Sequence, residues 1–237
     1  MMKTVISTAA LLAAATLAPV HAATVYSNNF DAPATVAAGV SDSFNAGGGF
    51  TTATIGAYNA TYGNIFRNQT VSPIQATELT LSNLGSHTSL SLGLVLAFLD
   101  SWDSTNGSPA PDNVDLYIDN VLIGSYTYNN ASGSVQAIGA GSVLAQFVQF
   151  DANQFFSDTV VDLSGDPALT VAHTASSVTV KLVASGSGWQ GGVDEAWGID
   201  NLTVSLAGTA NNVPEPGSLA LLALAGAAGL VTRRRTR

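Results

Sequence analysis

The densest group of side chains that could do chemistry lies in FLDSWDSTNGSPAPDNVDLYIDN, residues 98–120. Oxygen ligands on a loop shaped by glycine and proline are what a Ca²⁺ site needs. The stretch lacks the D-x-[DN]-x-[DN]-G spacing and terminal Glu of an EF-hand. It predicts either a structural Ca²⁺ site or a polar loop whose Asp and Asn side chains form Asx turns. The candidate ligands, within 16 positions, are Asp100, Asp103, Asn106, Asp112 and Asp115.

A second acidic group joins the two ends of the central sequence. Asp31 follows the first predicted strand, Asp194 and Glu195 precede the last one, and Asp200 lies within it. The pattern resembles carbohydrate-binding jelly rolls, in which a structural Ca²⁺ lies where the first and last strands meet. Alternation puts Asp200 on an apolar face, where a bare carboxylate is costly to bury. Asp31 and Asp200 are therefore further Ca²⁺ candidates, and the alternative is an Asp exposed at the rim of the sheet.

Tryptophans are the side chains that could stack on a sugar ring. Trp189 lies in the loop SGSGWQGG, where no core position is obvious, and is the first candidate for a ligand contact. Trp102 lies between two Asp residues of the acidic loop and is the second. Trp197 opens a predicted strand, which favours a core position.

Catalysis has little support in the sequence. His87 and His173 lie in Ser/Thr-rich segments with no acid close in sequence, and G-x-S-x-G, H-E-x-x-H and cysteine are all absent. Asp194 and Glu195 could serve a glycosidase, but adjacent strand residues point to opposite faces. We therefore expect a domain that is not an enzyme, with a polysaccharide hydrolase as the least favoured alternative.

The charge of the central sequence restricts its partners. Between Ala23 and Asn212 the only basic residues are Arg67 and Lys181, against 15 acidic ones, for a formal charge of −13. Such a surface excludes nucleic acid and anionic lipid as favourable partners and favours cations. The absence of cysteine excludes disulfides.

Residues 23–207 predict an all-β domain, because short Val-, Ile-, Thr- and aromatic-rich runs alternate with Gly, Asn, Ser and Asp clusters. About ten strands in one unit predict an antiparallel two-sheet sandwich, jelly-roll-like. Asp119-Asn120, between two apolar runs, predicts a hairpin with a type I′ turn. The predicted strands are Thr24–Phe30, Phe50–Ile55, Glu78–Leu84, Ser89–Leu99, Val114–Ile118, Val121–Tyr128, Ala145–Phe150, Val160–Leu163, Val178–Ala184 and Trp197–Leu206.

The two ends of the chain predict targeting segments, each expected to form a helix. Residues 1–22 have a positive Lys3, an apolar run and the cleavage-type sequence Val20-His21-Ala22, typical of a secretory signal peptide. After a linker, 208–213, the tail 214–237 begins with a Pro-Glu-Pro break and continues with an uncharged run, 217–232. As a helix that run would be about 24 Å long, a short transmembrane span. Basic residues would hold the end of the tail in the cytoplasm.

The tail resembles the PEP-CTERM sorting signal of Gram-negative bacteria in its three-part order. That family implies an exosortase-type enzyme that removes or exchanges the tail, transient anchoring in the inner membrane, and delivery to the cell surface or beyond. It also implies association with exopolysaccharide and biofilm matrix. The matching parts are Pro214, Glu215 and Pro216, the apolar stretch Leu219–Val231, and the basic end with Arg233, Arg234 and Arg235.

Together these features predict an exported, exosortase-sorted surface or matrix protein. Its acidic sandwich would act by adhesion or by organising extracellular polysaccharide, with Ca²⁺ as a structural ion. The alternative is a discrete carbohydrate-binding module.

Overall fold

Two antiparallel β-sheets pack face to face in the computed structural model, which describes residues 22–53, 62–105, 108–150 and 156–208. These residues belong to one compact unit, Ala22–Thr209. Residues 1–21 of the predicted signal peptide and the whole predicted tail, with their expected helices, lie outside the described residues. Within the described ranges, no helix has the length and apolarity that crossing a bilayer requires.

The regular secondary structure of the described residues is almost wholly β-strand, with a 3-10 turn at Pro167–Leu169. The strands are β1 Ala23–Asn28, β2 Thr35–Val36, β3 Ser41–Asn45, β4 Phe50–Ala53, β5 Asn64–Asn68, β6 Thr77–Ser82, β7 Ser89–Asp100, β8 Asn113–Ile118, β9 Val121–Tyr128, β10 Gln136–Ala137, β11 Ser142–Val148, β12 Asp158–Asp162, β13 Thr170–Ala172, β14 Ser177–Ser185 and β15 Glu195–Ala207.

The larger sheet has the order β11-β12-β7-β15-β1-β2, with β13 beside β7 and β5 between β15 and β4. The smaller sheet has the order β10-β9-β8-β14-β6-β3. The chain passes repeatedly from one sheet to the other, so that strands adjacent in a sheet are mostly distant in sequence. The prediction of an all-β, antiparallel sandwich is therefore confirmed.

The central pair of the larger sheet is β7 with β15, which pair antiparallel from Glu195 opposite Asp100 to Ala207 opposite Ser89. Alternate residues of β7 point into the main core between the sheets, while Val95, Ala97 and Leu99 enter a smaller apolar cluster on the outer face. Burial on both faces explains why most of β7 is an unbroken apolar run rather than an alternating one. The inward-facing residues of β7 are Leu90, Leu92, Leu94, Leu96 and Phe98.

The predicted hairpin is confirmed between β8 and β9, where Ile118 pairs with Val121. Asp119 and Asn120 have φ of 49° and 66°, the left-handed values that both central residues of a type I′ turn adopt. The Asp119 carboxylate also accepts the backbone N–H of Thr179 at 2.8 Å, which ties the turn to β14.

A β-bulge in β15 changes the expected place of Asp200. The register shifts between Asp200 and Thr203, and Asn201 has a φ of 50°. Because the extra residue resets the alternation, Ile199 and Leu202 both enter the main core. The expectation that Asp200 shares a face with Leu202 was wrong. So was the alternative of an exposed rim position, since Asp200 is only 2% exposed.

Asp200 makes its hydrogen bonds within the bulge. Its Oδ1 accepts the backbone N–H of Asn201 at 2.6 Å, and its Oδ2 accepts the Asn201 side-chain amide at 3.2 Å. Burial, with a smaller contribution from the charge of Asp31, raises the pKa of Asp200 to about 6. Asp200 therefore holds its proton more strongly in the folded protein than in the unfolded chain.

Replacing Asp200 by Asn is expected to stabilise the protein more at pH 7 than at pH 4. The folded pKa of about 6 lies above the unfolded value near 3.9. As pH rises through this range, the carboxyl loses its proton more readily in the unfolded chain, so the stability of the wild-type protein falls. Two pKa units correspond to about 3 kcal/mol, an upper figure for the change in the difference between the two proteins. Urea unfolding of both proteins from pH 4 to pH 7 measures it. A difference in unfolding free energy that stays constant with pH would contradict the assignment.

Candidate metal centre and adjoining cleft

The candidate site begins where β7 ends. Asp100, the last residue of β7, has a left-handed φ of 67°, and the next peptide extends the β7–β15 ladder because Ser101 N–H donates to the Asp194 carbonyl at 2.9 Å. The Ser101 hydroxyl also donates to the Asp194 carboxylate at 3.0 Å. The acidic loop therefore leaves the sheet directly beside the start of β15.

Trp102 anchors this loop in the core instead of offering its ring to solvent. The side chain is fully buried, and its indole N–H donates to the Asp112 carbonyl at 3.0 Å and to the Thr127 hydroxyl at 3.1 Å. The prediction that Trp102 is an accessible ligand contact was wrong. Its burial fixes the two ends of the loop, residues 102 and 112, against each other.

Trp189 is also buried, at 7% exposure, so the prediction of an exposed stacking ring was wrong for it too. Its indole N–H donates to the Thr70 carbonyl at 3.0 Å, and its ring centroid lies 5.4 Å from that of Trp102. Gly188 explains the error, since a Cβ there would lie 2.6 Å from the Cα of Ala110. The glycine lets the loop press against residues 110–112 and carry the indole inward.

Three carboxylates meet beside these indoles. Asp103, Asp112 and Glu195 each place one carboxylate oxygen within 4.8 Å of the others. Asp112 and Glu195 are fully buried, and Asp103 is partly exposed. The acidic loop supplies two of the groups, and the first residue of β15 supplies the third.

Backbone amides hold one oxygen of each buried carboxylate. Asp112 Oδ2 accepts the N–H of Asp103 at 2.9 Å, and Glu195 Oε2 accepts the N–H of Gln190 at 2.7 Å. The other oxygens, Asp112 Oδ1 and Glu195 Oε1, are buried and accept no hydrogen bond from the described residues. Within the described part of the chain neither oxygen has an N–H or hydroxyl donor, and the two carboxyls are placed so that one proton could be shared between them.

The electrostatics of the cluster favour a proton or a cation. Burial is the main cause that raises the pKa of Asp112 to about 6 and that of Glu195 to about 7, against smaller opposing effects of backbone hydrogen bonds. Burial and the charge of Asp194 raise the pKa of Asp103 as well. The neighbouring charges that act on these three groups all come from carboxylates.

The structure brings together only part of the predicted Ca²⁺ ligand set. Asp103 and Asp112 join, whereas Asp115 lies on the outward side of β8 and Asn106 is outside the described residues. Asp100 pairs with Arg67, so it is committed elsewhere. Glu195, considered from sequence as a member of the second acidic group and as half of a glycosidase pair, completes the cluster because β15 starts beside the end of β7.

The predicted site at the two ends of the domain has a different character. Asp31 accepts the backbone N–H of Asn64 at 2.7 Å and the side-chain amide of Asn29 at 3.5 Å. Its charge contributes to the raised pKa of Asp200. Within the described residues no third acidic or imidazole group joins them in a metal-binding arrangement.

The two histidines form a chain with an acid that is distant in sequence. His87 Nε2 lies 2.6 Å from His173 Nδ1, and His173 Nε2 lies 3.1 Å from the Asp119 carboxylate. His87 Nδ1 lies 2.6 Å from the Gly85 carbonyl, so every ring nitrogen has a protein partner. Asp119 is 54 positions from His173, so the sequence around the histidines, which has no acid close by, did not predict this contact. Within the described residues, neither imidazole is hydrogen-bonded to a hydroxyl that it could activate.

A cleft of about 340 Å³ adjoins the carboxylate cluster and shares Asp103 with it. Phe147 forms part of its wall with a ring that is 43% exposed and a left-handed φ of 56°. Asn130 donates to the carbonyls of residues 98 and 100, while its own Oδ1 is buried and accepts no hydrogen bond from the described residues. The lining residues are Asp100, Ser101, Trp102, Asp103, Asn130, Ala131, Phe147, Phe156 and Ser157.

A buried ion pair between Arg67 and Asp100 adjoins the cleft, because Asp100 is one of its lining residues. Arg67, on β5, donates from Nη2 to Asp100 Oδ2 at 2.8 Å and from Nε to Gln69 at 2.9 Å. The Asp100 backbone N–H donates to the Asp158 carboxylate at 2.8 Å, which also accepts the N–H of Phe150 at 2.6 Å. One of the two basic residues of the domain is thus used inside it.

Comparison with known proteins concerns the tail. Residues 212–235 match the family model of the PEP-CTERM protein-sorting motif. The tail is a PEP-CTERM motif. Its presence implies an exported protein that an exosortase sorts, as the resemblance in the sequence predicted. The match covers residues 212–235 alone, so it carries no information on the sandwich. No curated protein matches the chain.

Replacing Arg67 by Met is expected to destabilise the protein by about 3–5 kcal/mol, because removing one partner of a buried ion pair leaves a buried charge without its counter-ion. Lys181→Met is the matched control. Lys181 is the other basic residue of the domain, and its ammonium lies over the Tyr117 ring on the partly exposed face of β14. Urea unfolding compares the two variants, and equal losses would show that the Arg67 pair has no special weight.

Proposed function

We propose that the chain is an exported surface or extracellular-matrix protein of a Gram-negative bacterium, retained transiently in the inner membrane by its tail until an exosortase-type enzyme processes it. The observation that carries the proposal is the PEP-CTERM match at residues 212–235. In this proposal the signal peptide, 1–22, starts export, and the sandwich works outside the cell in adhesion or in organising exopolysaccharide.

The site supports a role without catalysis. All the ring nitrogens of His87 and His173 have protein partners, and Asp112 and Glu195 are fully buried, out of reach of a polymer. Glycoside hydrolysis needs a pair of carboxyls on either side of an accessible bond. Between residues 23 and 212, Arg67 is used inside the fold and Lys181 is the one other basic residue, which makes nucleic acid an unfavourable partner for the proposed surface.

The tail of the surface-exposed protein is expected to be cut or exchanged near Pro214–Pro216. Intact-mass and C-terminal peptide mass spectrometry of the cell-surface fraction would then lack Arg233–Arg237. A Glu215→Ala variant should accumulate with its full tail in the membrane fraction if the enzyme recognises the Pro-Glu-Pro element. Recovery of Arg237 on the wild-type surface protein would overturn processing.

A carbohydrate-binding role is favoured by the cleft beside the acidic loop. Phe147 is an exposed aromatic residue with a left-handed φ of 56°, at an irregularity in the pairing of β11 with β12, and strained backbone of this kind clusters at functional sites. A ring of this kind can stack on the apolar face of a sugar. Asp103, partly exposed in the wall of the cleft, offers an acceptor for sugar hydroxyls. In this proposal Phe147 in the cleft, and not the buried rings of Trp189 and Trp102, stacks on the sugar.

Phe147→Ala is expected to remove most polysaccharide binding, because loss of a stacking ring costs about 1–3 kcal/mol by analogy with stacked bases, roughly 5- to 150-fold in affinity at 1.4 kcal/mol per factor of ten. Glycan arrays followed by calorimetry measure it. Phe50→Ala is the control, since Phe50 is 46% exposed on β4, away from the cleft. Equal binding by both variants would exclude the cleft as the sugar site.

A further inference from the structure

The structure assigns a Ca²⁺-type cation site to Asp103, Asp112 and Glu195, at the junction of the acidic loop with the start of β15. The assignment is independent of the proposed function, since it depends neither on the sorting tail nor on sugar binding. It differs from the set predicted from sequence in its third ligand, Glu195, which no motif links to the acidic loop.

The spacing of the oxygens fits one hard cation. Each of the three residues places a carboxylate oxygen within 4.8 Å of the other two. Ca²⁺ binds oxygens at about 2.3–2.6 Å, so two ligands on one ion can be up to about 5.2 Å apart. The carboxylates therefore need no large movement to share an ion, and the partly exposed Asp103 leaves a side open for water to complete its shell.

Two buried oxygens point independently to a ligand. Asp112 Oδ1 and Glu195 Oε1 are buried without a hydrogen-bond donor among the described residues, although the second oxygen of each carboxylate is held by a backbone N–H. An ionised oxygen without a partner in the interior is strongly unfavourable. A cation between the carboxylates removes that cost for both residues at once.

The charge of the domain leaves few alternatives to a bound cation. Asp194 brings a fourth carboxylate to the cluster and raises the pKa of Asp103, Asp112 and Glu195. The two basic residues between 23 and 212 are engaged elsewhere, Arg67 with Asp100 and Lys181 with Tyr117 and Asn120. The remaining possibility is a proton shared by Asp112 and Glu195, which the experiment distinguishes.

The surrounding loops hold this geometry closely. A Cβ at Gly188 would lie 2.5 Å from Asp112 Oδ1, so only glycine leaves room beside that oxygen. Trp102 binds the Asp112 carbonyl, and Trp189 precedes Gln190, whose N–H binds Glu195. Both indoles therefore lie beside the site, which makes a luminescent lanthanide a direct probe.

Tb³⁺, a luminescent substitute for Ca²⁺, tests the assignment on the purified protein after treatment with EDTA. Excitation of tryptophan is expected to produce sensitised Tb³⁺ emission that saturates with one ion and is displaced by Ca²⁺. Added Ca²⁺ should also raise the melting temperature. Absence of both effects in the wild type would overturn the site in favour of the shared proton.

Three variants locate the ion. Asp103→Asn, at a partly exposed position that the fold tolerates, and Glu195→Gln should each weaken Tb³⁺ and Ca²⁺ binding by about tenfold or more, because affinity follows the number of charged ligands. Asp115→Asn, a change in the same segment but on the outward face of β8, should bind as the wild type does. Unchanged binding by Asp103→Asn, or equal loss by Asp115→Asn, would overturn the assignment to this cluster.

Discussion

The antiparallel pairing of β7 with β15 places the end of β7 beside the start of β15, and the candidate site depends on that junction. Asp100 and Glu195 are paired across it, and the Ser101 N–H extends the ladder to Asp194 by one more bond. The acidic loop must then leave the sheet beside the start of β15. Apolar packing on both faces of β7 fixes this register, since a slip of one residue would exchange its two buried faces.

The small number of basic residues determines how the acidic side chains of the domain can be neutralised. Arg67 is buried against Asp100, and Lys181 lies over Tyr117. Within the described residues, Asp103, Asp112 and Glu195 therefore form no ion pair with a basic side chain. The fold holds them instead with backbone N–H groups, which satisfy one oxygen of Asp112 and one of Glu195. Modules that work outside the cell bind Ca²⁺ with Kd of about 10⁻⁴–10⁻³ M. A cation from the extracellular medium could therefore neutralise these carboxylates in an exported domain.

Much of the fold was predictable from local pattern. All ten predicted strands are present with ends shifted by a few residues, and the Asp119-Asn120 turn has the predicted geometry. The strands that were missed, β2, β3, β5, β10 and β13, are two to five residues long. In β3, SDSFN has little apolar character, and it forms a strand because β6 pairs with it. Such edges are determined by the neighbouring strand more than by their own residues.

The site was less predictable, because its parts are joined by topology. Nothing in the sequence near Glu195 links it to Asp112, and only the β7–β15 register brings them together. Trp189 was misplaced for a related reason: a glycine-rich loop is typical of an exposed loop, yet Gly188 allows a close approach that buries the indole. Asp200 was misplaced because one extra residue at the bulge reversed the alternation on which its expected face depended.

The residue that joins the two halves of the site is Asp103. It lines the cleft with Phe147 and also belongs to the carboxylate cluster. Because its carboxylate is only partly buried, it is the least constrained of the three acidic groups, and an ion held by Asp112 and Glu195 would fix its orientation. A cation in the proposed site would therefore be coupled to the cleft wall through the Asp103 side chain. The PEP-CTERM motif at residues 212–235 implies export and sorting, so the chemistry of the sandwich has to be argued from the carboxylates and the cleft themselves.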